Sequence, residues 1–293
     1  MPNDKTASVW NAVFAGMSTA GTILITGASS GIGAYCARAL SEDGWRVFAT
    51  ARNSADIAAL EADGLEALYM DYRDGGSIAA AFEEVTAKTG GRLDALFNNG
   101  GYAQPGAVED LPVAALREQF EANFFGWHDL ARRVVPAMRA AGRGRIVQCS
   151  SILGLAPVKY RGAYVASKHA LEGLSLCLRA ELQGSGVHVS LIEPGPVKSR
   201  IATNALTWFL ANIDHENSPH RQAYQAQLSR LEAGGSASRL KVGPEAVCKV
   251  LRHALLSPRP RPHYVVTVPA RTGVVLKRIL PSRLFYRVLA SQS

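Results

Sequence analysis

Acidic side chains are missing from the last part of this 293-residue chain: from Ala246 onward there is no Asp or Glu, against nine Lys or Arg. That segment carries +9 of a net +8, leaving −1 (8 − 9) for everything before it. A basic surface of this kind can meet nucleic acid, anionic lipid or an acidic partner. No nucleic-acid motif accompanies it, so nucleic acid is not expected. Long apolar runs are missing too, and none approaches the ~18 residues of a membrane span. The first 21 residues lack a basic stretch followed by a sustained apolar core, which argues against a secretory signal. Cysteine is scarce: Cys36, Cys149, Cys177 and Cys248 show no metal-ligand spacing. They are expected to be buried thiols in a reducing compartment, with no metal and a cytoplasmic location.

What is present is an alternation of strand and helix in a chain of ordinary globular composition, 47% hydrophobic and 19% charged. Thr22–Thr26 reads as a buried β-branched strand and feeds into Gly27-Ala28-Ser29-Ser30-Gly31-Ile32-Gly33. A helix to Asp43 and a second strand at Arg46–Thr50 follow, the order of a nucleotide-binding unit. The glycines permit a tight turn and let amide groups at the helix start meet a pyrophosphate. The end of the second strand, Thr50-Ala51-Arg52-Asn53, lacks the carboxylate that would bond a ribose 2′-hydroxyl and favour NAD. The Arg52 guanidinium suits a 2′-phosphate, so NADP(H) is expected; a solvated loop charge is the plainer reading of Arg52.

The alternation continues with helices at Ala55–Ala62, Gly75–Thr89 and Val113–Ala141, and strands at Leu65–Met70, Leu93–Phe97, Arg145–Cys149, Val187–Ile192 and His263–Val268. Asp71-Tyr72, Asn98-Asn99-Gly100-Gly101, Ser150-Ser151 and Pro194-Gly195-Pro196 fall at strand ends, the edge where an open parallel sheet places its ligands. The expected fold class is α/β: a single doubly wound Rossmann domain over residues 21–270, its parallel sheet flanked by helices, behind an extension of residues 1–20. Residues 197–240 break the pattern. With Trp208, Phe209 and Leu210 and a Gly234-Gly235-Ser236 hinge, they form either a lid over an apolar substrate or a surface helix docked by its aromatics. In the basic tail, residues 271–293, Val275, Ile279 and Leu280 alternate helically with basic residues until Pro281 interrupts. Peripheral contact with a membrane surface and docking on the protein or a partner are both open for it.

The chemistry centres on Gly144–Leu171, where a strand ends at Ser150-Ser151 and a helix opens near Ala163. Tyr164 and Lys168 are four apart and share a helix face. A phenol with a pKa near ~10 is a poor acid–base group at neutral pH. An ammonium about 4 Å away, at an effective dielectric of about 20, favours the phenolate by ~4 kcal/mol, so Lys168 is expected to bring Tyr164 towards the working pH. Ser151 would hold a carbonyl or alcohol oxygen beside it. A helix with an early Tyr and a solvated Lys is the bland alternative, and other motifs in the chain weigh against it.

Those motifs are Thr26-Gly27-x-x-x-Gly31-x-Gly33, Asp71, Asn98-Asn99-Gly100-Gly101, Asn123, Ser151, Tyr164-x-x-x-Lys168 and Pro194-Gly195. In order and spacing, over roughly residues 22 to 200, the chain resembles the short-chain dehydrogenase/reductases. Within them it is similar to the branch holding 17β-hydroxysteroid and retinol dehydrogenases and bacterial NADP-dependent aldehyde reductases. The resemblance implies catalytic roles for Asn123, Ser151, Tyr164 and Lys168: Tyr164 as acid–base, Lys168 lowering its pKa and holding the nicotinamide ribose, Ser151 polarising the carbonyl, and Asn123 supporting a relay water. It implies a cofactor site of Gly27, Ser29, Ser30, Gly31, Ile32, Gly33, Arg52, Asp71, Tyr72, Asn98, Gly100, Tyr164, Lys168, Pro194, Gly195, Val197 and Ser199. Ser151, Leu153, Tyr160 and Tyr164 would meet the substrate. Gly100 stands for the usual Ala and Ser30 where some NADP enzymes carry Arg, which leaves Arg52 more of the discrimination. The function implied is NADPH-dependent reduction of a lipophilic aldehyde or ketone, with a hydroxysteroid or retinol dehydrogenase as the enzymatic alternative. A non-enzymatic NADP(H)-sensing or scaffold protein is the rival from another class. A homodimer or homotetramer through the long helices around Asn123 and Tyr164 is also implied.

Overall fold

The computed structural model describes residues 21–232 and 241–291; the 1–20 extension and the Gly234–Ser236 hinge lie outside these. Seven parallel strands form one sheet in the order β3-β2-β1-β4-β5-β6-β7: β1 Gly21–Ile25, β2 Trp45–Ala51, β3 Glu66–Tyr69, β4 Ala95–Asn98, β5 Gly144–Cys149, β6 Val187–Pro194 and β7 His263–Val266. The central strands are buried on both faces and read as continuous apolar runs, as a sheet covered by helices on each side requires. Strand order reverses between β1 and β4, so a crevice opens beyond their carboxyl ends. Thr26 ties the two ends together: its amide donates to Phe97 O, and its hydroxyl accepts from Asn99 N at 2.8 Å.

The helices are α1 Gly31–Glu42, α2 Ser54–Ala62, α3 Gly75–Thr89, α4 Val113–Phe120, α5 Gly126–Ala140, α6 Gly162–Glu181, α7 Ile201–Asn212, α8 Arg221–Glu232, α9 Glu245–Leu256, α10 Val268–Ile279 and α11 Ser282–Ser291. Local chemistry sets their ends. The Asn53 side chain accepts from Asp56 N to cap α2, Asp74 caps α3, and Gly90 closes α3 in the left-handed region. The one long helix expected over Val113–Ala141 is divided by a π turn at Glu121–Phe125. The last strand ends two residues early because Thr267 turns at φ 85 and its hydroxyl caps α10. Cys36, Cys149 and Cys248 are buried as expected, but Cys177 is exposed. The buried stripe of α6 runs through Tyr164, Lys168, Leu171 and Ser175, and Cys177 lies off it.

Candidate active site

The glycine loop leaves the end of β1 and turns into α1 with Gly27 at φ +62. A Cβ on Gly33 would stand 2.3 Å from Gly27 O, so only glycine lets the helix start lie this close to the loop. Ser30 occupies the N-cap position, yet its hydroxyl makes no capping bond. The first-turn amides of Gly31, Ile32 and Gly33 are thereby left to an anion. Ser199 packs against Gly31, and Val197 pairs with Val242, walling this end of the crevice. The cradle fits a dinucleotide pyrophosphate.

At the adenosine end Arg52 is exposed beyond β2. Burial works to raise the Asp71 carboxyl, but hydrogen bonds from the Arg73 side chain and backbone and the charge of Arg52 bring it below its ordinary value. Arg73 Nη2 donates to Asp71 at 2.8 Å, so the Asp71 carboxylate is held by one guanidinium and lies in the field of another. Arg73 escaped the sequence reading, since nothing but its position beside Asp71 marks it. Asn98 and Tyr72 are placed behind the cleft. The Tyr72 hydroxyl donates to Asn98 Oδ1 at 2.6 Å and lies as close to Thr26 Oγ1, while Asn98 Nδ2 donates to Trp127 O. Their side chains brace the loop from within.

The π turn positions Asn123. Its Oδ1 accepts from Tyr102 N at 3.1 Å and its Nδ2 donates to Tyr102 O at 2.8 Å, so the fully buried side chain holds the segment after β4 in place. One turn on, Trp127 donates from its indole nitrogen to Gly100 O at 2.8 Å and lays its ring under Lys168, whose Nζ is 4.0 Å from the centroid. Trp127 is a second residue of this site that the sequence reading missed. Four residues after Asn123 on a helix, it carries a core aromatic's signature and no other signal.

Lys168 is 3% exposed and donates to Cys149 O at 2.9 Å. Burial lowers it to about 8, against the opposing pull of Cys149 and Glu172. Its Nζ stands 5.7 Å from the Tyr164 ring centroid. The expected lowering of Tyr164 is therefore not seen: burial raises the phenol well above its ordinary value, Cys149 adds to this, and a hydrogen bond with Ser151 draws it partly back. The ammonium is held by a carbonyl and an indole instead of the phenol. Ser151 Oγ also accepts from Leu153 N at 3.1 Å, fixing the turn that carries Leu153.

The 201–232 segment lies over this site. Ala202, Ala205, Leu206 and Leu231 pack with Ala103, Leu153 and Tyr164 into an aliphatic wall over the phenol. Trp208 stacks on Tyr102 at 4.5 Å, and Phe209 is buried, while Leu210 is exposed. Packing of Phe209 in the body is what the docked-helix expectation describes. Tyr160 falls elsewhere: its ring packs against His220 and Tyr224, in a cluster with Phe209 apart from the one that holds Tyr164. Pro194 ends β6, and a Cβ on the following Gly195 would stand 2.2 Å from Thr267 Oγ1, so this wall is bound to the start of α10.

Comparison with known proteins agrees with this geometry. The family model described as short chain dehydrogenase matches residues 21–209. The uncharacterized oxidoreductase YbbO of Escherichia coli (strain K12) is 40% identical over 92% of this chain and 93% of its own length. The 3-ketodihydrosphingosine reductase of Bacteroides thetaiotaomicron is 33% identical over 78% of this chain and 82% of its own. A short chain dehydrogenase/reductase from Burkholderia phymatum in complex with NAD superposes with a TM-score of 0.75 at 25% identity, covering 89% of this chain and 94% of that one. A single-substitution variant of actinorhodin polyketide ketoreductase with NADPH gives 0.68 at 28% identity, covering 84% and 94%.

Proposed function

The chain belongs to the short-chain dehydrogenase/reductase family, and on that premise we propose that it reduces a lipophilic aldehyde or ketone to the alcohol with NADPH. The family and the fold support a nicotinamide-dependent oxidoreductase. The finer reading is carried by one observation: the Tyr164 phenol, with Ser151 beside it, lies beneath a wall of aliphatic side chains.

NADPH supplies a hydride to the carbonyl carbon when bound in the cradle of Gly27–Gly33. Ser151 holds the carbonyl oxygen by a hydrogen bond, and Tyr164 gives its phenolic proton to that oxygen as charge develops there. Burial keeps the phenol protonated at neutral pH, which is the form an acid in the reducing direction must have. Lys168 remains an ammonium below about pH 8 and would donate to the nicotinamide ribose when the cofactor is bound. The aliphatic lid excludes water and offers no hydrogen-bonding partner to a substrate tail, which favours an alkyl chain over a polar one. The relative named 3-ketodihydrosphingosine reductase supports the same class. The reading extends to a homo-oligomer through α4–α6, where Phe125, Leu174 and Leu176 are exposed. A panel of aldehydes, ketones and sterols followed by loss of NADPH absorbance tests the reading. Turnover should favour long aliphatic carbonyls and vanish in Tyr164→Phe with NADPH binding retained; retained turnover in that variant rejects the assignment.

A further inference from the structure

We propose that α10 and α11 form a docking face for an anionic phospholipid bilayer, set beside the mouth of the substrate cleft. Among the described residues no helix is long and apolar enough to cross a membrane, so the contact is with its surface. Val268, Val275 and Ile279 are 67%, 55% and 67% exposed. They are seven and four residues apart, which places all three within about 40° of one another around the helix. Exposed aliphatic residues scattered singly mean little, but three aligned on one helix face make a contact surface. Arg271 and Arg278 flank it on one side, both exposed, in position to reach lipid headgroups while the stripe enters the acyl boundary. On α11 Phe285 is buried, while Arg283, Leu284, Tyr286 and Arg287 are exposed.

Charge chooses the occupant. The segment from Ala246 onward holds nine basic residues and no acidic one. A second copy meeting this face about a two-fold axis would bring like charges together. An anionic bilayer instead matches both the arginines and the aliphatic stripe.

The face adjoins the catalytic turn. Gly273 lies against Ile152, Lys277 Nζ donates to Leu155 O, and Thr267 at the head of α10 meets Gly195. A lipid-borne carbonyl leaving the bilayer at α10 would thus enter beside Ser151 and Leu153. That delivery role rests on the proposed reduction of a lipophilic carbonyl; the docking itself does not.

The test is flotation of the full chain with vesicles of phosphatidylglycerol and phosphatidylcholine, against phosphatidylcholine alone. The protein should float with the anionic vesicles at low salt, be released by high salt, and stay behind with neutral ones. Val275→Glu/Ile279→Glu should lower the bound-to-free ratio at least about tenfold while NADPH oxidation with a water-soluble aldehyde is unchanged. Failure to float, or equal flotation of the double variant, overturns the proposal. So does a change in molar mass of the double variant by light scattering, which would make the face a contact between copies. Flotation needs no turnover, so its failure leaves the reductase reading standing, and inactivity towards soluble and lipid carbonyls alike would sink only that reading.

Discussion

Lys168 illustrates how this site trades stability for chemistry. Its side chain is buried at 3% exposure, and its value falls from 10.5 to about 8. The folded chain holds this proton less tightly than the unfolded one. Between about pH 8 and 10.5 the unfolded state therefore binds more protons, and stability rises with pH across that window. Below pH 8 the penalty is complete, about 3 kcal/mol at 1.36 kcal/mol per unit. Lys168→Met removes the charge and keeps the stem. It also leaves the Cys149 carbonyl without its 2.9 Å partner, which costs about 1 kcal/mol. The net expectation at pH 7 is a gain of roughly 2 kcal/mol, raising Tm by about 3 °C for a chain of this size, with turnover lost. Thermal unfolding of cofactor-free protein between pH 6.5 and 10.5 measures it. The advantage of Lys168→Met should be greatest below about pH 8 and fade towards 10.5 as the wild type stabilises. A variant less stable than wild type at pH 7, or an advantage that does not change with pH, would refute this electrostatic account.

Three further substitutions probe the frame and the cofactor. Arg52→Asp should shift the ratio of kcat/KM for NADPH over NADH towards NADH by on the order of tenfold to a hundredfold; an unchanged ratio places discrimination elsewhere. Asn123→Ala leaves the Tyr102 amide and carbonyl without their side-chain partners, and should lower stability by about 2–4 kcal/mol in urea unfolding. Stability equal to wild type would show that water replaces both bonds. Gly33→Ala puts a methyl where 2.3 Å separates it from Gly27 O, so NADPH affinity by fluorescence titration should fall sharply; wild-type affinity would contradict the close packing of loop and helix.

How much of this was legible beforehand follows from range. The β1–glycine loop–α1 unit depends on neighbours in sequence, and its residues stand where the pattern put them. Tyr164 and Lys168 share a face because helix geometry fixes it. The π turn could not be read, because helical periodicity continues through Val113–Ala141 and the bonds of its Asn123 go to a distant Tyr102 backbone. Trp127 was silent for the same reason: its importance comes from Gly100 and Lys168, both remote in the chain. The lowering of Tyr164 expected from its spacing to Lys168 was overridden by burial of the phenol, while Cys149 O and the Trp127 ring hold the ammonium. Tyr160, close to Tyr164 in sequence, was drawn away by His220 and Tyr224 from the lid.

The claim on which the account rests is that Tyr164 protonates a carbonyl oxygen as hydride arrives from NADPH. Incubation with NADPH deuterated at C4 and a long-chain aldehyde, followed by mass spectrometry of the alcohol, tests it directly. Deuterium should appear at the carbinol carbon with the wild type, and no alcohol should form with Tyr164→Phe although NADPH still binds. Labelled alcohol from that variant at the wild-type rate would contradict it.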